Sequence, residues 1–349
     1  MADRQRKRFP FISAEAFVST ADKVALDNLQ KMPVLPMLVR KINEWGWDSI
    51  SYARNSAESI RCGTDQFPTL YALLQEACAI MDVPEPELYV RYNNTYNAYT
   101  AGMARTYIVL HSALIDDFTD EEILFILGHE LGHIKCGHVL YHMVGLLLIP
   151  LLEEIGQLTL GLGKLAGMGL VMGFMEWMRQ AEFSCDRAGA LVCQDVEVAL
   201  RTIMKLGAGS TRFNGEMNLD AFRAQAQDHM DNSGLKGVSK ALLFLLYTWQ
   251  LDHPQVVYRE KGLDEWLREG SYGAILNGKY PMDMGGGSQM GPQVTCRKCG
   301  YVASAIVHYC PKCGDDLQAP PEVARKHCSH CNIDLPGNVS FCAHCGNRV

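Results

Sequence analysis

The segment Ile126-Leu127-Gly128-His129-Glu130-Leu131-Gly132-His133 constrains this chain more than any other. It contains H-E-x-x-H and sits where a helix is predicted. Thr119-Asp120-Glu121-Glu122 reads as a capping box, with Thr119 as N-cap and Glu122 at the third helical position. Apolar Ile123, Leu124, Leu127, Leu131 and Ile134 then recur at helical spacing. Residues four apart on a helix share a face, so His129 and His133 can present both imidazoles to one tetrahedral zinc. Glu130 lies beside them, placed to act on the attacking water. Apolar flanks argue against a chance match on an exposed face.

Such a site needs a third protein ligand. Gln180 to Ala190 reads as helix and carries Glu182 and Asp186, again four apart, among small and apolar residues. Unpaired carboxylates are costly there. A metal would resolve Glu182, and a hydrogen bond to a ligand imidazole would resolve Asp186. Taken alone, the pair would read as surface acids; beside H-E-x-x-H it does not.

The second strong signal is a repeat of period 32 near the C-terminus. Cys296-x2-Cys299-x10-Cys310-x2-Cys313 is followed by Cys328-x2-Cys331-x10-Cys342-x2-Cys345. Two C-x-x-C knuckles make one closed four-thiolate zinc site, so eight cysteines make two structural zincs. His308, His327, His330 and His344 are then surplus as ligands. So short a segment has almost no core without metal, and zinc binding supplies its folding energy. This use of cysteine points to a reducing compartment. Residues 282–293, rich in Gly and Met, read as a flexible linker before a double zinc ribbon over 294–349 (296–313 and 328–345).

The remaining chain is organised around these sites. The 349 residues suffice for one sizeable core plus a smaller module. The basic start, Arg4 to Arg8, is followed by no apolar run of signal-peptide length and reads as a solvated tail. Residues 1–60 read as a helical N-terminal extension, interrupted by Pro33 and Pro36, with no chemistry of its own. A helix is expected over 67–83, with Cys78 as a core thiol, then strands over 87–92 and 107–110. Asn97-Ala98-Tyr99 between them is the best candidate for an edge strand that pairs with an extended peptide. A further helix is expected over 236–250, and 263–280 should close the domain.

Residues 143–175 are unusual. Met143 to Leu152 has no polar side chain, and Leu158 to Met175 carries one charge, Lys164. One membrane span would put the two halves of the zinc site on opposite sides. Two spans need roughly 40 residues plus a turn, and only 33 lie between His142 and Glu176. An apolar hairpin remains, which packs on protein, dips into a membrane surface or builds an oligomer contact.

Four motifs in order resemble the HtpX and CAAX-prenyl-endopeptidase type of zinc metalloproteases, which are gluzincins. These are the Pro84–Val90 strand with Asn97-Ala98-Tyr99, the His129–His138 helix, Glu182-Phe183-Ser184-Cys185-Asp186-Arg187-Ala188, and His253-Pro254 with Arg259. The resemblance implies His129, His133 and Glu182 as ligands of a catalytic zinc, and Glu130 as general base and acid. It implies Asp186 as the group that orients a ligand histidine. Asn97 and His253 would lie near the substrate carbonyl, with His253 stabilising the oxyanion and Arg259 supporting it. His138 matches a common family position that is not a ligand. Two features depart from the family: the Gly-rich hairpin is short, and the zinc ribbons are appended.

The fold class expected is therefore α+β, mainly helical: a zincin-type domain over 61–281, with a small sheet beside the H-E-x-x-H helix, plus a ribbon module. The function expected is a zinc metalloendopeptidase acting on protein or peptide substrates, with one catalytic and two structural Zn2+. The alternative is a latent adaptor or chaperone-like protein binding through the ribbons. A nucleic-acid factor is disfavoured by the net charge of −7 and by ribbons with only six Lys/Arg against four Asp/Glu. The location expected is cytoplasmic, with membrane association left open for 143–175.

Overall fold

The computed structural model describes residues 6–31, 35, 38–39, 46–103, 105–145, 162–209, 212–230, 255–283, 293–304, 310, 313, 315–317, 325–336, 341–342, 344–345 and 347–348. The described helices are α1 (Thr20–Gln30), α2 (Trp47–Glu58), α3 (Pro68–Met81), α4 (Ser112–Asp117), α5 (Asp120–Lys135), α6 (Leu162–Cys193), α7 (Val196–Ala208), α8 (Leu219–Met230), α9 (Val256–Arg268) and α10 (Ser271–Leu276). Strands β1 (Ile60–Arg61), β2 (Glu87–Arg91), β3 (Ala98–Ala101) and β4 (Tyr107–His111) form one sheet in the order β1-β2-β4-β3. The chain is thus mainly helical with a small mixed sheet. The helix expected over 236–250 lies outside the described residues.

Central β4 is buried along its whole length, as a strand covered on both faces must be. It pairs in parallel with β2, and in antiparallel with β3 through Ala98↔Leu110 to Ala101↔Tyr107. Segment Asn97-Ala98-Tyr99 therefore enters an edge strand. Helix α5 begins where the sequence places it. The Thr119 amide donates to Glu122 Oε2 at 2.8 Å, and the Glu122 amide returns to Thr119 Oγ1 at 3.4 Å. Lys205 on α7 donates to the same Glu122 oxygen at 2.9 Å and to the Asp117 carbonyl, which ties α7 to this helix start. Residues 123–133 are all buried, so α5 is the central helix of the domain.

The N-terminal segment departs from the solvated tail expected. The Arg6 side chain is largely out of water and donates to Glu76 on α3 at 2.6 Å, to Glu121 on α5, and to the Cys193 carbonyl at 3.3 Å. Phe9, Ile12 and Phe17 belong to the same core as α3, α5 and α7. An isolated bridge joins Ile12 to Met282, and the Ser13 amide donates to the Pro281 carbonyl at 3.0 Å. The sequence hides this strap because its basic residues look solvated; three hydrogen-bond acceptors for one guanidinium outweigh that tendency.

Helix α1 lies against α6. Leu29 of α1 joins Tyr141, Val144, Val171, Phe174, Trp177 and Met178 in a second core cluster. Val144, Val171, Phe174 and Met175 of the 143–175 stretch thus pack on protein; residues 146–161 lie outside the described residues. Among the described residues, no helix is long and apolar enough to cross a membrane. In the C-terminal part, β5 (Gln293–Thr295) pairs with β6 (Val302–Ser304), and β7 (Arg325–His327) with β8 (Asp334–Pro336).

Candidate metal centre

Helices α5 and α6 touch through small residues. A methyl group added at Gly128 would lie 2.6 Å from Val192 Cβ, and one at Gly132 would lie 2.9 Å from Ala188 Cβ and 3.0 Å from Cys185 Cα. From the other side, one at Gly189 would meet the Phe125 carbonyl oxygen at 2.7 Å. Helix interiors disfavour glycine by about 1 kcal/mol. Here glycine lets two backbones approach, and that approach carries Glu182 and Asp186 onto the two histidines.

The four side chains then meet in a buried cluster. His129 Nε2 lies 3.3 Å from Glu182 Oε2, and His133 Nε2 lies 3.3 Å from Glu182 Oε1. Two ligands at 2.0–2.1 Å from a tetrahedral zinc sit about 3.3–3.4 Å apart, so these spacings fit a shared ion. On its outer side His129 Nδ1 bonds Asp186 Oδ1 at 3.0 Å. Arg259, on the first turn of α9, donates Nε to Asp186 Oδ2 at 2.9 Å and Nη2 to Asp186 Oδ1 at 2.6 Å. Its Nη1 lies 3.7 Å from Glu182 Oε2. The site thus gathers two carboxylates and one guanidinium out of water.

Electrostatics follows from that balance. Burial alone would lower the His129 pKa, but Glu182 and Asp186 outweigh it and push it up to about 10. His133, sharing the same carboxylate, is pushed down by burial despite Glu182. The neighbouring carboxylates thus favour the charged form of His129, and a bound metal competes with that extra proton. Burial opposes the charge on Asp186, yet Arg259 holds its carboxyl below the ordinary range. Cys185 Sγ also lies within 4.8 Å of ring nitrogens of His129 and His133. Burial pushes its pKa well above the ordinary thiol value, which disfavours the thiolate form.

Glu130 is buried at the same helix turn. Thr100 Oγ1, on edge strand β3, donates to Glu130 Oε2 at 2.6 Å and lies 3.3 Å from its backbone carbonyl. Strand β3 therefore runs directly beside the glutamate. Ala98 opens that strand, and the half-buried Asn97 gives its carbonyl to the His111 amide at 3.0 Å. His253 lies outside the described residues.

Two residues next to the site were given no role by the sequence. His133 Nδ1 lies 3.2 Å from His138 Nδ1, and His138 Nε2 lies 3.1 Å from Asp22 Oδ2 on α1. His138 is visible in sequence as a histidine five residues after His133. Asp22 carries no such signal, because only tertiary packing brings α1 against α6.

The C-terminal cysteines form two further groups, Cys296/Cys299/Cys310/Cys313 and Cys328/Cys331/Cys342/Cys345. Sulfur pairs approach to 3.5 Å in the first and to 3.5 and 3.6 Å in the second. The period of 32 recurs in the backbone. The Cys296 amide bonds the Tyr301 carbonyl and the Cys328 amide bonds that of Ile333, while Cys310 and Cys342 bond Asp315 and Asn347 at 2.7 Å each. Gly300 turns after the first knuckle at φ +71°, and Asn332 fills the equivalent place at φ +58°. Asparagine is among the few residues that tolerate that region. Backbone N–H groups of Cys331 and His330 bring the Cys328 thiol down to about 6, close to the thiolate a metal needs. None of the thirteen cysteines forms a disulfide.

Comparison with known proteins decides the class. The model of peptidase family M48 matches residues 65–267, and the double zinc ribbon model matches 296–346. The chain belongs to peptidase family M48. Plastoglobule-localized metallopeptidase 48 of Arabidopsis thaliana is 32% identical over 274 residues, 77% of each chain. An HtpX protease homologue of Desulfatibacillum aliphaticivorans is 25% identical over 278 residues, 72% of this chain and 81% of its own. A third relative, the metalloprotease YhfN of Bacillus subtilis, is 44% identical over 59 residues, 17% of this chain and 14% of its own. This M48 protein is thus a zinc metalloprotease that acts on protein or peptide substrates, with a double zinc ribbon at its C-terminal end. The adaptor alternative finds no support in these relatives.

Proposed function

We propose that His129, His133 and Glu182 hold the catalytic zinc and that Glu130 is the general base and acid of peptide-bond hydrolysis. The observation that carries this reading is the pair of 3.3 Å spacings from the two Nε2 atoms to the two oxygens of one buried carboxylate. A zinc bound there supplies Lewis acidity toward water and the scissile carbonyl. Glu130 then takes the proton of the attacking water and passes it to the leaving amine. Thr100 keeps Glu130 Oε2 oriented and leaves the carboxylate's other oxygen for that transfer. Asp186 holds the His129 ring by Nδ1, and Arg259 fixes Asp186 in turn. His253 is assigned to the oxyanion on the strength of its His-Pro motif.

Substrate lies extended along edge strand β3, from Asn97 through Ala98, and pairs by backbone hydrogen bonds. Adding a strand on that side brings a peptide past Glu130, because Thr100 already links β3 to it. N-methylation at successive positions of a cleavable peptide tests this. Alternate positions should raise KM strongly and the intervening ones little, since a strand directs every second N–H to its neighbour. A uniform response along the peptide would rule out edge pairing.

Domain roles follow. Residues 61–281 form the catalytic domain with 1–60 as its helical extension. Residues 282–293 link it to the ribbon module at 294–349, whose two structural zincs need a reducing compartment such as the cytoplasm. Beyond the residues of 143–175 that pack on protein, this stretch is assigned a contact with a membrane surface or a second copy. Flotation with anionic vesicles separates these, because an oligomer contact would leave the protein unbound.

A further inference from the structure

The two candidate ligand histidines are held from behind in different ways. His129 meets a carboxylate directly, whereas His133 Nδ1 meets another imidazole nitrogen, His138 Nδ1, at 3.2 Å. In neutral imidazoles only one of those two nitrogens can carry the proton. Which one does is set further back. His138 is fully buried, and its Nε2 lies 3.1 Å from Asp22 Oδ2, a close electrostatic contact that is not aligned as a hydrogen bond. Asp22 is equally buried. It accepts from Ser184 Oγ at 2.6 Å through Oδ2 and from Trp177 Nε1 at 3.2 Å through Oδ1. Its backbone amide is capped by Ser19 Oγ at 3.1 Å, and the Ser19 amide donates to Ser184 Oγ at 2.9 Å. The first turn of α1 is therefore pinned to α6 between Glu182 and Asp186.

A carboxylate facing His138 Nε2 favours the tautomer with the proton on that nitrogen. His138 Nδ1 is then an acceptor; it lies 3.2 Å from His133 Nδ1 and 3.7 Å from the Cys185 thiol, a weak donor, so the stronger imidazole N–H of His133 takes it. That leaves the His133 Nε2 lone pair directed at Glu182 Oε1, where a metal ligand is required. We propose that Asp22, acting through His138, sets the tautomer of His133 and makes the N-terminal helix α1 part of the zinc site. Asp22 lies before residue 65, where the family match begins. It is a positioning residue. The inference rests on the reading of His129, His133 and Glu182 as ligands.

The test uses the full chain with both ribbons. Zinc per chain is counted, and affinity at the third site is read by competition with a chelator. The variants are Asp22→Asn, His138→Gln and the double. Each single change should weaken the third zinc about 10- to 100-fold, the usual cost of losing an outer partner of a ligand histidine. The double should be no weaker than His138→Gln alone, since Asp22 acts only through His138. Additive losses, or wild-type affinity in Asp22→Asn, would overturn the proposal. Two zincs in the wild type would instead overturn the ligand assignment. If the variants fail to fold, histidine 15N NMR of the zinc-loaded wild type decides: His138 should be protonated at Nε2 and bare at Nδ1, and the reverse tautomer refutes the relay.

Discussion

Arg259 clasps Asp186 with two parallel hydrogen bonds, Nε to Oδ2 at 2.9 Å and Nη2 to Oδ1 at 2.6 Å, across 73 residues of sequence. This fork joins the late His-Pro…Arg motif to the helix that carries Glu182. It also leaves Asp186 Oδ1 shared between the guanidinium and His129 Nδ1. Lysine cannot reproduce a planar fork. Arg259→Lys should therefore keep the fold but lower zinc affinity at the third site by about tenfold or more. Arg259→Ala removes the guanidinium from buried Asp186, leaves it His129 alone as partner, and should cost about 3–5 kcal/mol in urea unfolding. Equal stability of wild type and Arg259→Ala would show that the clasp is dispensable.

Gly132 sits on α5 where a methyl group would meet Ala188 Cβ at 2.9 Å and Cys185 Cα at 3.0 Å. Gly132→Ala gains about 1 kcal/mol of helix propensity, yet overpacking a helix contact costs about 1–3 kcal/mol. Net destabilisation is expected in urea, together with weaker zinc binding as α6 and its Glu182 move away. A stabilised variant with unchanged zinc affinity would contradict the close-packing account.

Glu87 gives a pH signature far from the metal. Burial opposes its charge, but Tyr89 and Arg105 bond it and hold its pKa below the ordinary value of 4.5. A depressed carboxylate adds stability above its unfolded pKa, and that stability is lost as pH falls through the folded value. Wild type should therefore exceed Glu87→Gln in stability at pH 7, and the gap should close as pH falls below 4.5 and through the depressed folded value. A gap that is constant from pH 7 to pH 3 would mean that packing rather than charge is at work.

The parts of this protein that sequence reveals are those whose spacing encodes geometry. His129 and His133 share a helical face, Thr119 and Glu122 cap that helix, and eight cysteines at period 32 form two thiolate groups. Glu182 and Asp186 are readable because buried acids need partners. Asp22 and Arg6 are not readable, since each gets its partners from elements distant in sequence. Arg6 looks like part of a basic tail, and Asp22 looks like an ordinary first-turn acid. The tertiary contact of α1 with α6 alone gives Asp22 its place.

The assignment of Glu130 is tested most directly by purifying wild type and Glu130→Gln, counting zinc in each and incubating both with unfolded casein. Three zincs per chain in both proteins, with cleavage only by the wild type, is the predicted result: the ligands and both ribbons are intact, and the proton carrier alone is lost. Cleavage by Glu130→Gln at the wild-type rate, with its three zincs in place, would contradict it.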